Sequence, residues 1–442
     1  MNPYEPMFLP ESIAEIINAL ETAGFSAYAV GGCVRDACLG LDPHDYDLCT
    51  SALPEQTEAV FRDRRLVLAG KKHGTIGVVT ATGVVEITTF RTEGSYRDNR
   101  HPDWVQFVPD VESDLARRDF TVNAMAYSPT RGYADPFGGR EDLRKGILRA
   151  VGDPEKRFQE DALRILRGVR FAVRFGLKVD AATEQAMFSQ AARMDSLARE
   201  RVFEELCKLL PRINARQMCR FAPILTQVIP PLKASINFDQ RNPHHIHDVY
   251  THTAHVLERT PPDLTLRWAA LLHDVGKPDT FTLDETGCGH FYGHAKRSAQ
   301  LADEILLALK APTALRRQAV LLVQLHMTTL SPDKKSVRRQ LSRLGSQTLE
   351  QLLILQQADM GGDPTFAQNY RGIMAEILAE SACLQQKDLA INGHDLIAAG
   401  YRGRQIGQIL AGLLDAVLEE QVENTRLALL EHIPHLKSEE KK

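Results

Sequence analysis

The stretch Gly31-Gly32-Cys33-Val34-Arg35-Asp36, followed by Asp45-Tyr46-Asp47, decides the expected fold of the amino-terminal region. The apolar run Tyr28-Ala29-Val30 before it indicates a short buried strand, which the glycine pair turns into a helix. Main-chain N–H groups at such a turn can hold phosphate oxygens, because glycine permits close approach. Arg35 follows where a cation can clamp the same phosphates. We therefore predict an anion site that includes Gly32 and Arg35.

Two carboxylates follow this turn at a spacing of two residues, at Asp45 and Asp47. On a strand, residues at this spacing point to the same face and lie about 6–7 Å apart. Such a pair can converge on two magnesium ions about 3.5–4 Å apart, the arrangement used for in-line phosphoryl displacement. Magnesium needs only a few carboxylates, with waters and substrate phosphates completing its shell. The pair therefore predicts a Mg²⁺ site.

Length and composition limit the class of protein. A chain of 442 residues is too long for one ordinary core, so we expect two to four domains. The composition, 43% hydrophobic and 25% charged, is typical of globular proteins. With 53 basic and 57 acidic residues, the net charge is -4, so a nucleic-acid site must be a local basic patch.

Cysteine usage and hydropathy predict a cytoplasmic protein with no membrane partner. The seven cysteines are scattered and form no CxxC pair, which argues for a reducing compartment and against a disulfide framework. No apolar run approaches about 18 residues, so no transmembrane helix is expected. The segment Met1–Glu11 lacks the basic start of a secretory signal.

Periodicity predicts a small α/β region around these motifs. Apolar residues at helical spacing indicate a first helix over 11–23, and a polar stretch without periodicity indicates a long mobile loop from Arg91 to Val111. Glu86 interrupts an apolar strand, so it either faces solvent or serves as a third carboxylate beside the aspartate pair. The remaining expected elements are a helix over 54–61 and strands over 66–68, 75–80 and 84–90, with a turn at 82–83.

In its order and spacing, the GGxVRDxxLG motif followed by DxD resembles the class II tRNA nucleotidyltransferases, which share this head with bacterial poly(A) polymerases. The phrase RRDFTVNA at 117–124 resembles the second motif of that family, and DPFGG at 135–139 resembles its element joining head to neck. The resemblance implies metal binding by Asp45 and Asp47, and a nucleotide contact by Arg118. Arginines at this point offer forked donors for a triphosphate.

A third motif lies in a predicted helix over Glu160–Phe171, where charged residues repeat every three positions. Such a set forms an inclined ridge, which in most helices is a solvated, salt-bridged face. This helix also resembles the family motif EDxxRxLRxxRF, in which the acid and the first arginine read the base edge of C or A. The resemblance implies base recognition by Asp161 and Arg164, and phosphate or base contacts by Arg167 and Arg170. The phrase Arg199–Glu205 resembles a motif that steadies the neck.

Nine of the fifteen histidines lie between residues 244 and 326, and imidazole with carboxylate ligands suits transition metals. The phrase LLHDVGKP at 271–278 resembles the centre of HD-domain phosphohydrolases. That resemblance implies a site for Ni²⁺, Mn²⁺ or Co²⁺, with two further histidines placed where two-metal members carry extra ligands. The implied ligands are His252, His273, Asp274, His294, His326 and Asp359. His247, His255 and His290 have no place in the pattern.

The predicted fold class is α+β: a nucleotidyltransferase head with a mixed sheet, followed by all-α regions. We expect a head over 1–142, a neck over 143–235, an HD region over 240–362 and a tRNA-binding helical tail over 363–442. The resemblance implies an enzyme of the bacterial type that adds CCA to tRNA 3′ ends from CTP and ATP. The sequence leaves monomer and homodimer open.

Three alternatives stay open. An enzyme that adds only A, or only C, to tRNA would share every motif. A bacterial poly(A) polymerase would share the head, but it would be expected to carry a strongly basic tail, which this chain lacks. From another class, the protein could be an HD phosphohydrolase with a vestigial head.

Overall fold

The computed structural model describes residues 6–81, 83–93, 105–242, 246–380 and 383–439. The chain divides into two compact units, Met1–Lys233 and Ala234–Lys442. The first unit contains a mixed β-sheet and helices, and the second is helical apart from one short hairpin. The predicted α+β class is therefore confirmed, whereas the finer division into four regions stays a prediction.

The strands build one large sheet and three two-stranded ladders within the described residues. They are β1 (Ala27–Val30), β2 (Leu48–Thr50), β3 (Leu66–Val67), β4 (Thr75–Thr80), β5 (Gly83–Thr89), β6 (Arg91–Glu93), β7 (Val105–Phe107), β8 (Ala126–Ser128), β9 (Gly132–Ala134), β10 (Ile147–Leu148), β11 (Lys178–Val179), β12 (Thr282–Leu283) and β13 (Gly289–His290). The large sheet has the order β3-β4-β5-β2-β1-β8-β9. Its pairs are antiparallel except β2 with β5, which is parallel, so the sheet is mixed as predicted.

Helices of the first unit alternate with its strands as far as β11 and then follow one another without further strands. They are α1 (Glu11–Thr22), α2 (Gly32–Cys38), α3 (Pro54–Val60), α4 (Val111–Ala116), α5 (Gly139–Lys145), α6 (Pro154–Glu160), α7 (Leu163–Phe175), α8 (Ala181–Ser189), α9 (Arg199–Leu209), α10 (Ala215–Arg220) and α11 (Ala222–Val228). In α1 the residues at helical spacing, Ile13, Ile16, Ile17 and Leu20, are all buried. Burial of this face fixes α1 to the sheet, as its periodicity predicts.

The second unit consists of helices joined by short turns and the β12–β13 hairpin. Its helices are α12 (Val249–Arg259), α13 (Leu264–Leu272), α14 (His294–Ala308), α15 (Thr313–Leu325), α16 (Lys334–Asp359), α17 (Thr365–Ala379), α18 (Gly393–Ala398), α19 (Arg404–Leu418) and α20 (Arg426–Glu439). Helix α16 is broken at Gly345, whose φ of 74° is left-handed. None of the helices in the described part of the chain has the length and apolar character to cross a bilayer.

Most elements expected around the motifs are present, with two corrections. The stretch Arg91–Val111 is not a loop throughout, because Arg91 pairs with Phe107 in a β6–β7 ladder. Its central residues, 94–104, lie outside the described residues, as does Thr82 of the predicted turn. The helix expected over Glu160–Phe171 is also wrong at its start, because the chain leaves helical geometry at Asp161.

Candidate functional site

Asp45 and Asp47 lie in an extended segment that leads into β2, rather than within a strand as expected. The main-chain N–H of Val30 donates to the carbonyl of Asp47 at 2.9 Å, so the β1–β2 ladder reaches Asp47. Both aspartates are exposed. Partial burial raises the pKa of Asp47, as does Asp45, whereas the charge of Arg118 lowers it. The pair therefore sits at the exposed start of the central strand β2, beside a cation.

Glu86 lies on the strand next to this pair. The parallel β2–β5 register places Leu48 beside Ile87, and one residue earlier in both strands it brings Asp47 beside Glu86. Leu48 and Ile87 are buried, so the preceding residues turn to the opposite, exposed face. The ligand oxygens of Asp45, Asp47 and Glu86 do not all lie within 4.8 Å of one another. The register thus supports Glu86 as a neighbour of Asp47, and its role as third carboxylate stays a prediction.

Arg118 lies over the glycine turn between β1 and α2. A Cβ atom on Gly31 would stand 2.7 Å from Nη1 of Arg118, and the φ of Gly31 is +76°. The Nη2 atom of Arg118 donates to the buried carboxylate of Asp114 at 3.3 Å. A guanidinium thus closely approaches the turn that is predicted to hold phosphate, and glycine is required for that approach.

Replacing Gly31 with alanine is expected to lower the unfolding free energy by about 1–3 kcal/mol and to raise the KM for the nucleotide substrate. The new Cβ would displace Arg118 from the turn. Gly24→Ala is the matched control, because Gly24 has a φ of +91° with nothing within 4 Å of its Cβ position. Steady-state kinetics and urea unfolding of both variants measure the effects. Equal KM values for Gly31→Ala and Gly24→Ala would contradict this role of Arg118.

The guanidinium of Arg35 is committed to protein groups. Its Nε and Nη2 donate to Asp36 at 2.8 and 2.6 Å, and its Nη1 donates to Asn123 at 2.5 Å. The side chain is buried, and the guanidinium lies 4.4 Å from the ring centre of Phe175. The structure therefore places Arg35 where it links α2, the RRDFTVNA segment and α7, and does not present it as a free phosphate clamp.

Asp119 is a buried carboxylate that accepts hydrogen bonds from several neighbours, and sequence reasoning did not identify it. One carboxylate oxygen accepts from Nε and Nη2 of Arg167 at 2.8 and 2.7 Å. The other accepts from the main chain of Phe120 at 2.8 Å and from Asn123 at 3.0 Å. Burial raises the pKa of Asp119, but Arg167 and Asn123 outweigh burial and lower it to about 2. The feature of the sequence that could have identified Asp119 is its position directly after Arg118 in the RRDFTVNA phrase.

Asp119→Asn is expected to lower the unfolding free energy by about 1–3 kcal/mol near neutral pH, because Arg167 loses its buried partner charge. The pKa of Asp119 is depressed in the folded state. Its contribution is therefore present above the unfolded pKa of about 4 and is lost as pH falls towards about 2. Urea unfolding at several pH values should show the stability gap between wild type and variant narrowing below about pH 4. Asp63→Asn, at an exposed site, is the control.

If the difference in unfolding free energy between wild type and Asp119→Asn stayed constant below about pH 4, the assigned charge pairing of Asp119 would be contradicted. Activity provides a second readout, because Arg167 and Asn123 both depend on this carboxylate for their positions.

Asp161 stands at the junction of α6 and α7 and not on a helical ridge. One of its oxygens caps α7 by accepting from the N–H of Leu163 at 2.9 Å. The other accepts from Nη2 of Arg201 on α9 at 3.1 Å. The prediction of a continuous helix failed because an aspartate at this position satisfies a free N–H of the next helix. Its carboxylate is nevertheless fixed in orientation by two elements.

Arg164 and Arg170 are also held by protein partners. Arg164 donates to Glu160 at 2.7 Å and to the carbonyl of Arg117 at 2.9 Å. Arg170 is paired with Glu205 on α9, and its guanidinium lies 4.2 Å from the ring centre of Phe171. The four residues of the predicted ridge therefore each have their own protein partners. Sequence reasoning missed Arg201 and Glu205 as partners, although both belong to the Arg199–Glu205 phrase and share a helix face at a spacing of four.

The second unit brings together all six residues expected at the HD site. Asp274 is central, with Oδ1 lying 3.4 and 3.7 Å from Nε2 of His294 and His326, and Oδ2 lying 3.3 and 3.7 Å from Nε2 of His273 and His252. Asp359, at the end of α16, lies 2.8 Å from His252. Two ligand triads result, one with His252 and His273 and one with His294 and His326, and they share Asp274.

Three of these imidazoles are oriented in the same way. The Nδ1 atoms of His273, His294 and His326 lie 2.7–2.8 Å from main-chain carbonyls three residues earlier. A ring whose Nδ1 donates to a carbonyl carries its lone pair on Nε2, the usual preparation of a metal ligand. All three Nε2 atoms therefore point at Asp274.

The cluster has the properties of a cation site. The Nε2 of His273 is buried and has no hydrogen-bond partner of good geometry, and the buried Oδ2 of Asp274 is paired with the Lys277 ammonium. Burial lowers the pKa of His273, but Asp274 and Asp359 outweigh burial and raise it to about 10. The buried carboxylate of Asp274 and the partly buried carboxylate of Asp359 thus favour positive charge at the cluster, which a divalent cation supplies. The residues present therefore fit a metal ion, or two ions bridged by Asp274.

A cavity of about 700 Å³ opens onto this cluster. It is lined by four of the six cluster residues, His252, Asp274, His294 and Asp359, and by the buried cation Lys277, whose Nζ lies 2.7 Å from Asp274. Its outer wall includes the segment after β13 and the end of α16. A substrate can therefore reach the cluster from solvent.

Three family models match the chain. The Poly A polymerase head domain matches residues 27–149, the probable RNA and SrmB-binding site of polymerase A matches 176–220, and the putative tRNA nucleotidyltransferase domain 2 matches 290–433. The first covers the glycine turn, the aspartate pair, Glu86 and Arg118, whereas residues 161–170 lie between the first two matches, and the third covers part of the second unit.

Two curated relatives show what the chain is similar to. The CCA-adding enzyme of Lactiplantibacillus plantarum is 34% identical over 430 residues, which cover 94% of each chain. The CCA-adding enzyme of Geobacillus stearothermophilus is 47% identical over 195 residues, covering 44% of this chain and 48% of the relative. The first of these relatives aligns across both units.

Solved structures agree with this assignment. The CCA-adding enzyme of Bacillus stearothermophilus, solved with CTP, superposes with a TM-score of 0.74 at 29% identity, covering 98% of this chain and 99% of that one. The Thermotoga maritima enzyme, solved with tRNA, shares the fold with a TM-score of 0.58 at 20% identity and 97% and 96% coverage. The predicted resemblance is confirmed: the chain belongs to the class II CCA-adding enzymes, which are tRNA nucleotidyltransferases.

Proposed function

We propose that Asp45 and Asp47 hold the divalent ions with which this CCA-adding enzyme transfers CMP and AMP to tRNA, and that Mg²⁺ is the natural ion. The observation that carries the proposal is the placement of the two exposed carboxylates beside Arg118 and the glycine turn. Glu86, which the β2–β5 register brings beside Asp47, is the third carboxylate of this proposal. Carboxylate oxygens are the ligands that Mg²⁺ prefers.

In the proposed reaction, the 3′-hydroxyl of the tRNA attacks the α-phosphate of CTP or ATP, and pyrophosphate leaves. Arg118 donates to the triphosphate, and the main chain of Gly32 approaches it at the turn. Metal ions at the carboxylates would supply charge stabilisation for the in-line displacement. The protein contributes mainly positioning, so no covalent intermediate is needed.

Base selection is assigned to Asp161 and Arg164. A carboxylate accepts from the exocyclic amino group of C or A, and a guanidinium donates to the neighbouring ring acceptor. U and G present a carbonyl at the amino position and are rejected. The contacts of Asp161 with Arg201 and of Arg164 with Glu160 support this assignment, because they hold both groups in fixed orientations. Arg167 and Arg170 contribute nucleotide contacts from the same helix.

Asp161→Ala or Arg164→Ala is expected to raise misincorporation of UMP and GMP by about 10-fold or more, since each base-edge contact discriminates by roughly 1–3 kcal/mol. The assay supplies each nucleotide singly to tRNA that lacks CCA, and sequencing reads the products. Arg216→Ala, at an exposed site on α10, is the control. Unchanged selectivity in both variants would assign Asp161 and Arg164 to neck stability alone.

Family membership supports tRNA as the molecule that accepts the nucleotides and a bacterial cytoplasm as the compartment. We propose that tRNA binds with the help of the helical tail, where Arg402 and Arg404 flank Gly403. The Thermotoga maritima relative, solved with tRNA, supports RNA as the partner. All seven cysteines are free thiols, which supports a reducing cytoplasmic setting.

We propose a second activity, metal-dependent phosphoester hydrolysis at the cluster around Asp274. The two triads that share this carboxylate support it, as does the predominance of imidazole ligands, which favour Mn²⁺, Ni²⁺ or Co²⁺. Hydrolysis adds one water across a P–O ester bond: the water oxygen joins phosphorus, and a proton ends on the departing ester oxygen. A bound ion would supply the activated water, and Lys277 neutralises charge inside the cavity.

A further inference from the structure

We propose that the β12–β13 hairpin carries a zinc site of its own, separate from the Asp274 cluster, with Asp284, Cys288 and His290 as its protein ligands. One ligand atom from each of these side chains lies within 4.8 Å of the other two. A carboxylate, a thiolate and an imidazole are the three kinds of side chain that bind Zn²⁺ in proteins. This site gives a role to His290, which had no place in the sequence pattern of the cluster.

The pairing of the hairpin places the three side chains on one face. Leu283 pairs with Gly289 in the antiparallel ladder. One position further, the N–H of Asp284 donates to the carbonyl of Cys288 at 3.0 Å, so these two residues stand opposite each other. Opposite residues of a ladder project to the same side, and so does a residue two positions along the strand. His290, two residues after Cys288, therefore completes the set.

The strand that carries two of the ligands is held in place by the protein behind it. Gly289 is buried, and a Cβ atom at this position would collide with the carbonyl oxygen of Gln240. The N–H of Gly289 donates to the carbonyl of Arg241 at 2.9 Å, and its carbonyl accepts from the side-chain amide of Asn242 at 3.1 Å. Because β13 is already ordered, an ion that binds there meets a small cost in lost chain freedom.

The carboxylate of Asp284 has one oxygen committed to the turn and one available for an ion. Its Oδ1 accepts from the N–H groups of Thr286 and Cys288 at 2.9 and 3.0 Å. Its Oδ2 lies 2.8 Å from Nε2 of His290, and the side chains of His290 and Asp284 are 32% and 37% exposed. Hydrogen bonds from Thr286 and His290 hold the pKa of Asp284 well below its usual range. An ion can therefore reach an ionised ligand from solvent without disturbing the turn.

The thiol distinguishes this site from the cluster around Asp274, whose ligands are imidazoles and carboxylates. Thiolate sulfur favours Zn²⁺ over Mg²⁺ and Mn²⁺, so the two sites should select different ions. Three protein ligands leave the fourth tetrahedral position to water. The ladder pairs only two residues of each strand, and the ion would join the strands at the end where this pairing stops. We therefore assign the site a structural role in the hairpin.

The test uses the full chain, stripped of metal and titrated first with Co²⁺ as a spectroscopic probe and then with Zn²⁺. Wild type is expected to show a thiolate-to-Co²⁺ charge-transfer absorption that Zn²⁺ removes, a signature that imidazole and carboxylate ligands cannot give. Cys288→Ser should lose this absorption and bind Zn²⁺ at the hairpin roughly 100-fold more weakly, because a direct ligand is lost. Cys219→Ser, at an exposed thiol of α10, is the matched control and should behave like wild type.

Metal content and thiol protection provide two independent readouts. Cys288→Ser should hold one Zn²⁺ fewer per chain than Cys219→Ser. Asp284→Asn should show the same loss, although its amide oxygen can still accept from the N–H groups of the turn. Zn²⁺ should slow alkylation of Cys288 about tenfold or more and leave the rate at Cys219 unchanged, as followed by peptide mass spectrometry.

Three results would each overturn the proposed site. The first is a wild-type chain that gives no thiolate-to-Co²⁺ absorption. The second is alkylation of Cys288 at one rate with and without Zn²⁺. The third is equal zinc content in wild type and a folded Cys288→Ser variant, which would assign the bound ions to the Asp274 cluster alone. Circular dichroism of each variant establishes its folding.

Discussion

Asp47→Ala is expected to lower the rate of nucleotide addition by roughly 1,000-fold or more, with both CTP and ATP. The variant removes a carboxylate proposed to hold the metal ions, whose charge stabilisation amounts to several kcal/mol. Because the side chain of Asp47 is exposed at the start of β2, the fold should survive its truncation. Single-turnover incorporation of labelled CMP and AMP measures the loss, and Asp45→Ala should behave in the same way.

The matched control is Asp42→Ala, which removes an exposed carboxylate from the same segment. It should leave the rate of addition within a few-fold of wild type. Circular dichroism and thermal melts establish that all three variants are folded. Near-normal incorporation by a folded Asp47→Ala variant would show that the metal assignment in the first unit is wrong.

Asp274→Ala is expected to abolish metal-dependent phosphoester hydrolysis while sparing CCA addition. This carboxylate belongs to both triads, so its loss should remove every ion bound at the cluster. The residues proposed for nucleotide addition belong to the first compact unit, and the cluster belongs to the second. Assays of hydrolysis and CCA addition on one preparation, with metal content measured by mass spectrometry, test the separation.

The stability of the Asp274→Ala variant must be measured beside its activity, because the substitution leaves the buried Lys277 without its partner charge. His252→Ala and His326→Ala each disrupt only one triad, so each should lose one of two bound ions. Thermal melts with and without metal detect coupling between binding and folding. If a well-folded Asp274→Ala variant lost CCA addition as completely as Asp47→Ala, the cluster would belong to the polymerising mechanism.

Sequence reasoning could bring candidate site residues together where they share a short motif or neighbouring strands. The glycine turn and the aspartate pair are adjacent in sequence, and the parallel β2–β5 register brings Glu86 to Asp47 as the strand prediction allowed. The histidine-aspartate set was identified by its order along the chain. These residues come together only through the packing of α12–α16, which the local hydrophobic periodicity does not specify.

The supporting residues could not be predicted, because their partners are distant in sequence. Asp119 meets Arg167 across 48 residues, Arg201 meets Asp161 across 40, and Glu205 meets Arg170 across 35. The helix break at Asp161 was missed because periodicity reports which face is apolar and is insensitive to a carboxylate that caps the next helix.

The central claim is that this chain completes the 3′ end of tRNA without a nucleic-acid template. Its most direct test incubates the purified protein and Mg²⁺ with a tRNA that ends before CCA, supplying CTP, ATP or both, and sequences the products. The account predicts that CTP alone adds C residues, that both nucleotides together add CCA and stop, and that UTP and GTP are not used. Addition of only A, a long A tail, or no addition by a folded protein would contradict it.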